Sequence, residues 1–136
     1  MKYSVRVKNI DWLDPEVKEG DVCVELGSSL YWGFCYSCDF VVGERTDIEI
    51  YILESGDISF ETMFSYNRDK EMKIVPFPTD RTAYYCYGRV VSVKPIVVDC
   101  GDMQFDLGDF TTDERVIGEY VYFVVNRLDI HKCMKK

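Results

Sequence analysis

The chain has one histidine in 136 residues, and acid–base chemistry near neutral pH draws on that side chain more than any other. His131 adjoins Lys132 in a basic C-terminal run, where a solvated role is expected rather than a catalytic one. Also missing are a nucleophile elbow, a phosphate-binding glycine loop and a zinc-protease helix motif. A reaction run by carboxylates alone would need a pair that the sequence does not single out, so no enzyme is indicated and no cofactor is called for. No apolar run approaches the roughly 20 residues that cross a bilayer. The first residues, Met1-Lys2-Tyr3-Ser4-Val5-Arg6, alternate like a strand and contain no signal-type apolar stretch. A cytoplasmic protein without membrane association is the expectation. Bases are scarce: 16 Lys and Arg stand against 24 Asp and Glu, for a net charge of −8. Such a surface is repelled by phosphate backbones, which disfavours nucleic acid as partner, and suits a basic protein.

Six cysteines are present, Cys23, Cys35, Cys38, Cys86, Cys100 and Cys133. Disulfide frameworks belong to short secreted chains, and most of these six lie in apolar strand patterns where cysteine acts as a small hydrophobe. Reduced thiols are expected. Cys35-Tyr-Ser-Cys38 has the spacing of half a zinc site. An offset of three within a strand would send the two thiols to opposite faces, so a core cysteine and a surface cysteine are expected, with no metal site.

What the chain does have is a rhythm of two. From Leu30 to Val42 the even positions read Leu30, Trp32, Phe34, Tyr36, Cys38, Phe40 and Val42, against Tyr31, Gly33, Cys35, Ser37, Asp39 and Val41. A strand puts alternate side chains on opposite faces, so the bulky set is expected on the hidden face of a long strand bent near Gly33. Further alternating runs cover residues 2–8, 22–26, 48–53, 58–66, 83–94, 96–100, 103–107 and 119–130. Short loops between 30–42, 48–53 and 58–66 read as an antiparallel meander, with a hairpin at Glu54-Ser55-Gly56-Asp57. Asp14, Pro15 and Gly20 frame one helical turn. Residues 67–82 form a long loop with an edge strand near Met72–Val75, since Pro76 and Pro78 cannot sit in a central strand. The fold class is thus all-β. A single domain over 1–136 is expected, as an antiparallel barrel or strongly curved sheet or sandwich of about eight to ten strands with one short helical turn.

Gly88-Arg89-Val90-Val91-Ser92-Val93-Lys94-Pro95, Ile96-Val97-Val98-Asp99-Cys100-Gly101 and Ile117-Gly118-Glu119-Tyr120-Val121-Tyr122-Phe123 resemble strands of a small OB-type barrel. The resemblance covers residues 83–131. It implies a β-barrel and, as a function, binding of single-stranded nucleic acid or oligosaccharide on one sheet face; the acidity of the chain departs from the nucleic-acid binders.

Two candidate surfaces emerge. Residues 99–120 carry seven acids and one base. Asp99, Asp102, Asp106, Asp109, Asp113 and Glu114 would concentrate a negative field able to meet a basic partner; the plainer reading is a solvated face and loop. Tyr85, Tyr87 and Arg89 share one face of a strand, which could stack a partner side chain, a sugar or a base, or line the interior. Trp32, Phe34 and Tyr36 raise a ligand cavity as another option. The expected function is a non-enzymatic interaction module of inhibitor or immunity type. A small-ligand barrel and an OB-like single-strand binder are the alternatives.

Overall fold

A computed structural model describes residues 2–54, 60–108 and 112–133. The protein is all-β. Nine strands form one sheet: β1 (Lys2–Asp14), β2 (Glu19–Leu26), β3 (Ser29–Cys35), β4 (Arg45–Glu54), β5 (Lys73–Pro76), β6 (Tyr84–Val93), β7 (Ile96–Asp99), β8 (Gln104–Gly108) and β9 (Tyr120–Lys132). One short helix, α1 (Phe60–Ser65), and a 3₁₀ turn at Glu114–Val116 complete the described elements.

The sheet closes on itself in its first half. β1 pairs with β2 and β4, β2 with β3, and β4 with β9. A single parallel bridge, Phe34 to Asp129, joins β3 to β9 and completes a five-strand ring. β9 serves two structures at once. Residues from Val125 onward pair with β4, whereas Tyr120–Val125 pair with β6, from which β7 and β8 continue as a meander. The stretch 83–131 therefore contributes only β9 to the ring. The meander folds back on the ring: the Tyr3 hydroxyl accepts from the Gln104 amide at 2.6 Å, and the Tyr31 hydroxyl donates to Asp102 at 2.6 Å. One continuous core results, from Val5, Val22, Ile48 and Ile130 in the ring to Cys86, Val98 and Phe105 beyond it.

Alternation locates most strands, but β3 faces the other way from the expectation. Tyr31 and Cys35 are buried and Gly33 lies inward, whereas Leu30 is 56% exposed and Trp32 and Phe34 lie half-buried on the outside. The reason is space. A β-carbon at Gly33 would lie 2.4 Å from Cγ1 of Ile130, so the narrow seam between β3 and β9 admits no side chain there. The large rings are instead covered by cations: the Arg81 guanidinium lies 3.8 Å from the Trp32 ring centre and that of Arg127 4.3 Å from that of Phe34.

Five further expectations are corrected. β3 ends at Cys35, Ser37 turns through a left-handed φ of 52°, and Cys38 comes back into the core, so both cysteines are buried. β4 does not pair with β3; its partners are β1 and β9. Residues 15–18 make a hairpin turn in place of a helical one, because β1 runs on to Asp14, whose carboxylate accepts from the Glu16 amide. The helix is instead α1, inside a run read as a strand; its Met63 is buried in the core and its Phe64 packs against it. The hairpin expected at 54–57 falls largely on residues outside those described. His131 lies within β9 opposite Glu49 rather than in a tail, 5.1 Å from the Tyr51 ring.

Candidate functional site: an aromatic face on β5, β6 and β9

Three strands present two cross-strand rows on their outer face. Lys73, Tyr87 and Tyr122 stand in one register row, and Val75, Tyr85 and Val124 in the next. Arg89 opposite Tyr120 extends the face on β6 and β9. Side chains opposite one another on adjacent strands share a face, so Tyr85, Tyr87 and Tyr122 meet. Tyr122 is the centre: ring centroids lie 5.1 Å away at Tyr87, 6.5 Å at Tyr85 and 5.5 Å at Tyr66. Phe77 stacks on Tyr85 at 4.3 Å. Each such pair contributes about 0.5–1.5 kcal/mol beyond the area it buries, which stiffens the platform.

Two sequence segments outside the sheet complete it. Asn67, itself buried, donates to the Val121 carbonyl at 3.1 Å and the Glu71 carbonyl at 2.9 Å, and its own side-chain oxygen accepts from the Glu71 amide. That anchor holds the chain after α1 against β9 and sets Tyr66 over Tyr122. The Phe77 amide donates to the Ala83 carbonyl, placing its ring beside Tyr85. Tyr66 is 66% exposed, and Phe77, Tyr85, Tyr87 and Tyr122 are half-buried, so the stack is open to solvent along one side. Burial, then the neighbouring phenols of Tyr87, Tyr85 and Tyr66, hold the Tyr122 hydroxyl protonated above the usual phenol range. Lys73 lies 4.8 Å from the Tyr87 ring centre and pairs with Glu71 at 2.8 Å, a bond that raises its pKa.

Of the residues singled out in the sequence, Tyr85, Tyr87 and Arg89 thus fall on one outer face. Asp99 stands opposite Arg89 on β7, and its carboxylate accepts from the Gly101 amide. Asp102 accepts the Tyr31 hydroxyl, and Asp106 accepts the Gly108 amide. Asp113 caps the 3₁₀ turn and binds Arg115, which pulls its pKa down to about 2; Glu114 is exposed on that turn. Asp109 lies outside the described residues. Sequence reasoning missed Tyr66, Phe77 and Tyr122 as members of the site. Tyr122 carried a signal, since β9 is apolar on both faces, but its ring partners come from two separate segments, Tyr85 and Tyr87 on β6 and Tyr66 after α1.

Trp32 and Phe34 lie half-buried on the outer face of β3, and the exposed Tyr36 lines a cleft with Cys35 and Lys132. Among the described residues no group of three or more His, Cys, Asp or Glu side chains is placed to hold a metal ion, and no helix is long and apolar enough to cross a membrane. Comparison with known proteins finds no matching family model, no matching curated protein and no matching solved structure.

Proposed function

We propose that the protein is a non-catalytic binding module whose tyrosine face on β5, β6 and β9 receives a basic protein segment, with arginine or lysine side chains laid on the rings. The observation that carries this reading is the open stack of Tyr66, Phe77, Tyr85, Tyr87 and Tyr122 on a chain of net charge −8. Ring faces are electron-rich and attract cations, while the net negative charge steers a basic partner inward and raises its association rate. The fold already uses the same chemistry internally, at Lys73 on Tyr87, Arg81 on Trp32 and Arg127 on Phe34.

What supports an OB-type reading is the five-strand ring, a partly open barrel of the kind that binds single strands on its β2–β3 face. Here the rings on that face, Trp32 and Phe34, are taken by Arg81 and Arg127, and those cations are neutralised by Asp11, Asp21 and Asp129. Neither ring is left bare for a base, and the net charge opposes phosphate.

The test is a titration at low and at physiological salt with an arginine-rich peptide, its acidic counterpart and a single-stranded oligonucleotide. Binding of the basic peptide alone, weakened by salt, supports the reading. Binding of the oligonucleotide in preference to the peptide overturns it.

A further inference from the structure

We propose that the tip of the β1–β2 hairpin is a second docking surface, which takes a basic protein segment carrying apolar side chains. The pairing of β1 with β4 ends at Arg6, and from Asn9 to Asp14 its sheet partner is β2. Every residue from Asp11 to Lys18 is exposed. Small and polar residues would serve such a turn, yet Trp12 is 42% exposed, Leu13 60% and Val17 46%. Two details of the backbone leave these side chains uncovered. Trp12 stands opposite Gly20, which offers no side chain to lie against the ring. A β-carbon at Gly20 would lie 2.9 Å from the Asp11 carbonyl oxygen, so the strands meet too closely to admit one. Leu13 is the extra residue of a bulge between the pairs Trp12–Gly20 and Asp14–Glu19, and bulges re-aim side chains. Tyr36, 61% exposed, lies beside the hairpin, because Cys35 pairs with Gly20 and the Cys38 amide donates to the Lys18 carbonyl at 2.7 Å.

Charge selects the occupant. Residues 11–21 carry five acids, Asp11, Asp14, Glu16, Glu19 and Asp21, and one base, Lys18. Arg81 engages Asp11 and Asp21, and the other three acids still outnumber Lys18. The apolar side chains therefore sit inside a negative rim. Exposed apolar patches rimmed by polar groups mark interaction sites, and tryptophan is among the anchors that dominate binding energy. The rim repels an anionic lipid surface, an acidic protein and a second copy of the tip alike. It attracts lysine and arginine side chains that flank an apolar contact. This surface differs from the tyrosine face in its strands and in its chemistry. There cations lie on rings; here apolar side chains meet Trp12 and Leu13 while cations pair with the acids of the rim.

The experiment titrates the whole chain with a peptide alternating lysine and leucine, and follows the backbone amides and the two tryptophan indole N–H signals by NMR. A lysine–serine peptide, a glutamate–leucine peptide and phosphatidylcholine vesicles are the comparisons. The expected result is movement of the Trp12 indole and of amides 11–18 with the lysine–leucine peptide alone, weakened by salt. Trp12→Ser should reduce affinity at the tip about tenfold, with amide signals outside the hairpin unmoved, since the side chain is exposed. Glu16→Lys combined with Glu19→Lys should reduce it at low salt and leave it unchanged at high salt. Tyr85→Ala should leave the tip affinity as it is, which separates this surface from the tyrosine face. The proposal is overturned if amides 11–18 stay still, or if the lysine–serine or glutamate–leucine peptide moves them equally. Insertion of Trp12 into the vesicles in preference to peptide binding overturns it too, as does sedimentation showing self-association that Leu13→Ser abolishes.

Discussion

Replacing Gly33 by alanine tests the inverted facing of β3. The added methyl would lie 2.4 Å from Cγ1 and 2.5 Å from Cδ1 of Ile130 and 3.1 Å from the Leu128 carbonyl oxygen. Ile130 is completely buried and β3 is held from its other side by seven register pairs to β2, so neither neighbour retreats easily. Overpacking of this kind costs about 1–3 kcal/mol. With a urea slope of about 1–3 kcal/mol per M for a domain of this size, the unfolding midpoint should fall by roughly 1 M. Leu30→Ala provides the contrast. If the bulky residues of the run faced inward, that truncation would cost about 2–5 kcal/mol; at 56% exposure it should cost no more than about 0.5 kcal/mol. In an Ile130→Ala background the added methyl gains room, so Gly33→Ala should lose most of its penalty there. Equilibrium urea melts followed by tryptophan fluorescence read all four proteins. A costly Leu30→Ala beside a silent Gly33→Ala would refute the facing and the seam with it.

Other outcomes follow from the bonds that close the fold. Tyr84→Phe should destabilise by about 1–3 kcal/mol, because the hydroxyl accepts the Trp32 amide at 2.8 Å and donates to the Trp32 carbonyl at 2.7 Å, leaving both stranded when removed; urea melts would measure it, and a neutral substitution would count against the clamp. Asn67→Ala should cost a similar amount, about 1–3 kcal/mol, and raise amide exchange through residues 66–71 while β1 and β2 stay protected. Alkaline pH should unfold the protein. Burial first, then the bond to Asp102, raises Tyr31 above the ordinary phenol value of 10.0, and burial raises Tyr84. The folded state therefore holds these protons more tightly than the unfolded chain does. Their contribution is complete below pH 10 and is lost as pH climbs past that value toward the folded pKa. Tyrosine absorbance should show early phenols and a late group that ionises together with loss of the β-sheet signal; one uniform titration would contradict this.

Much of the fold is legible in the rhythm of two. Strands β6 to β9, the edge strand β5 and the central place of β9 follow from alternation, prolines and glycines that lie within a few residues of the elements they define. What alternation does not contain is which of two faces is inside. For β3 that was decided by Ile130 and Leu128 on one side and by Arg81 and Arg127 on the other, all remote in sequence. The run at 58–66 shows the converse limit: Phe60, Thr62 and Phe64 alternate as in a strand, yet Met63 and Phe64 reach the core from a helix, so packing overrode the local pattern. Tyr85 and Tyr87 were visible as a pair, while the cross-strand neighbour Tyr122, and Tyr66 and Phe77 from the loops, depend on pairings that one sequence does not display. In the acidic series the partners of Asp99 and Asp106 are amides two residues on, whereas Asp102 meets the Tyr31 hydroxyl, 71 residues away, a pairing that one sequence does not display.

The most direct measurement is side-chain NMR of the tyrosine rings during titration with an arginine-rich peptide. Shifts should concentrate on Tyr66, Tyr85, Tyr87 and Tyr122, and Tyr85→Ala should weaken binding roughly two- to fivefold, the equivalent of one ring–cation contact of about 0.5–1 kcal/mol. Shifts confined to the β7–β8 edge with the tyrosine rings undisturbed, or no binding at low salt, would contradict the assignment of this face as the recognition surface.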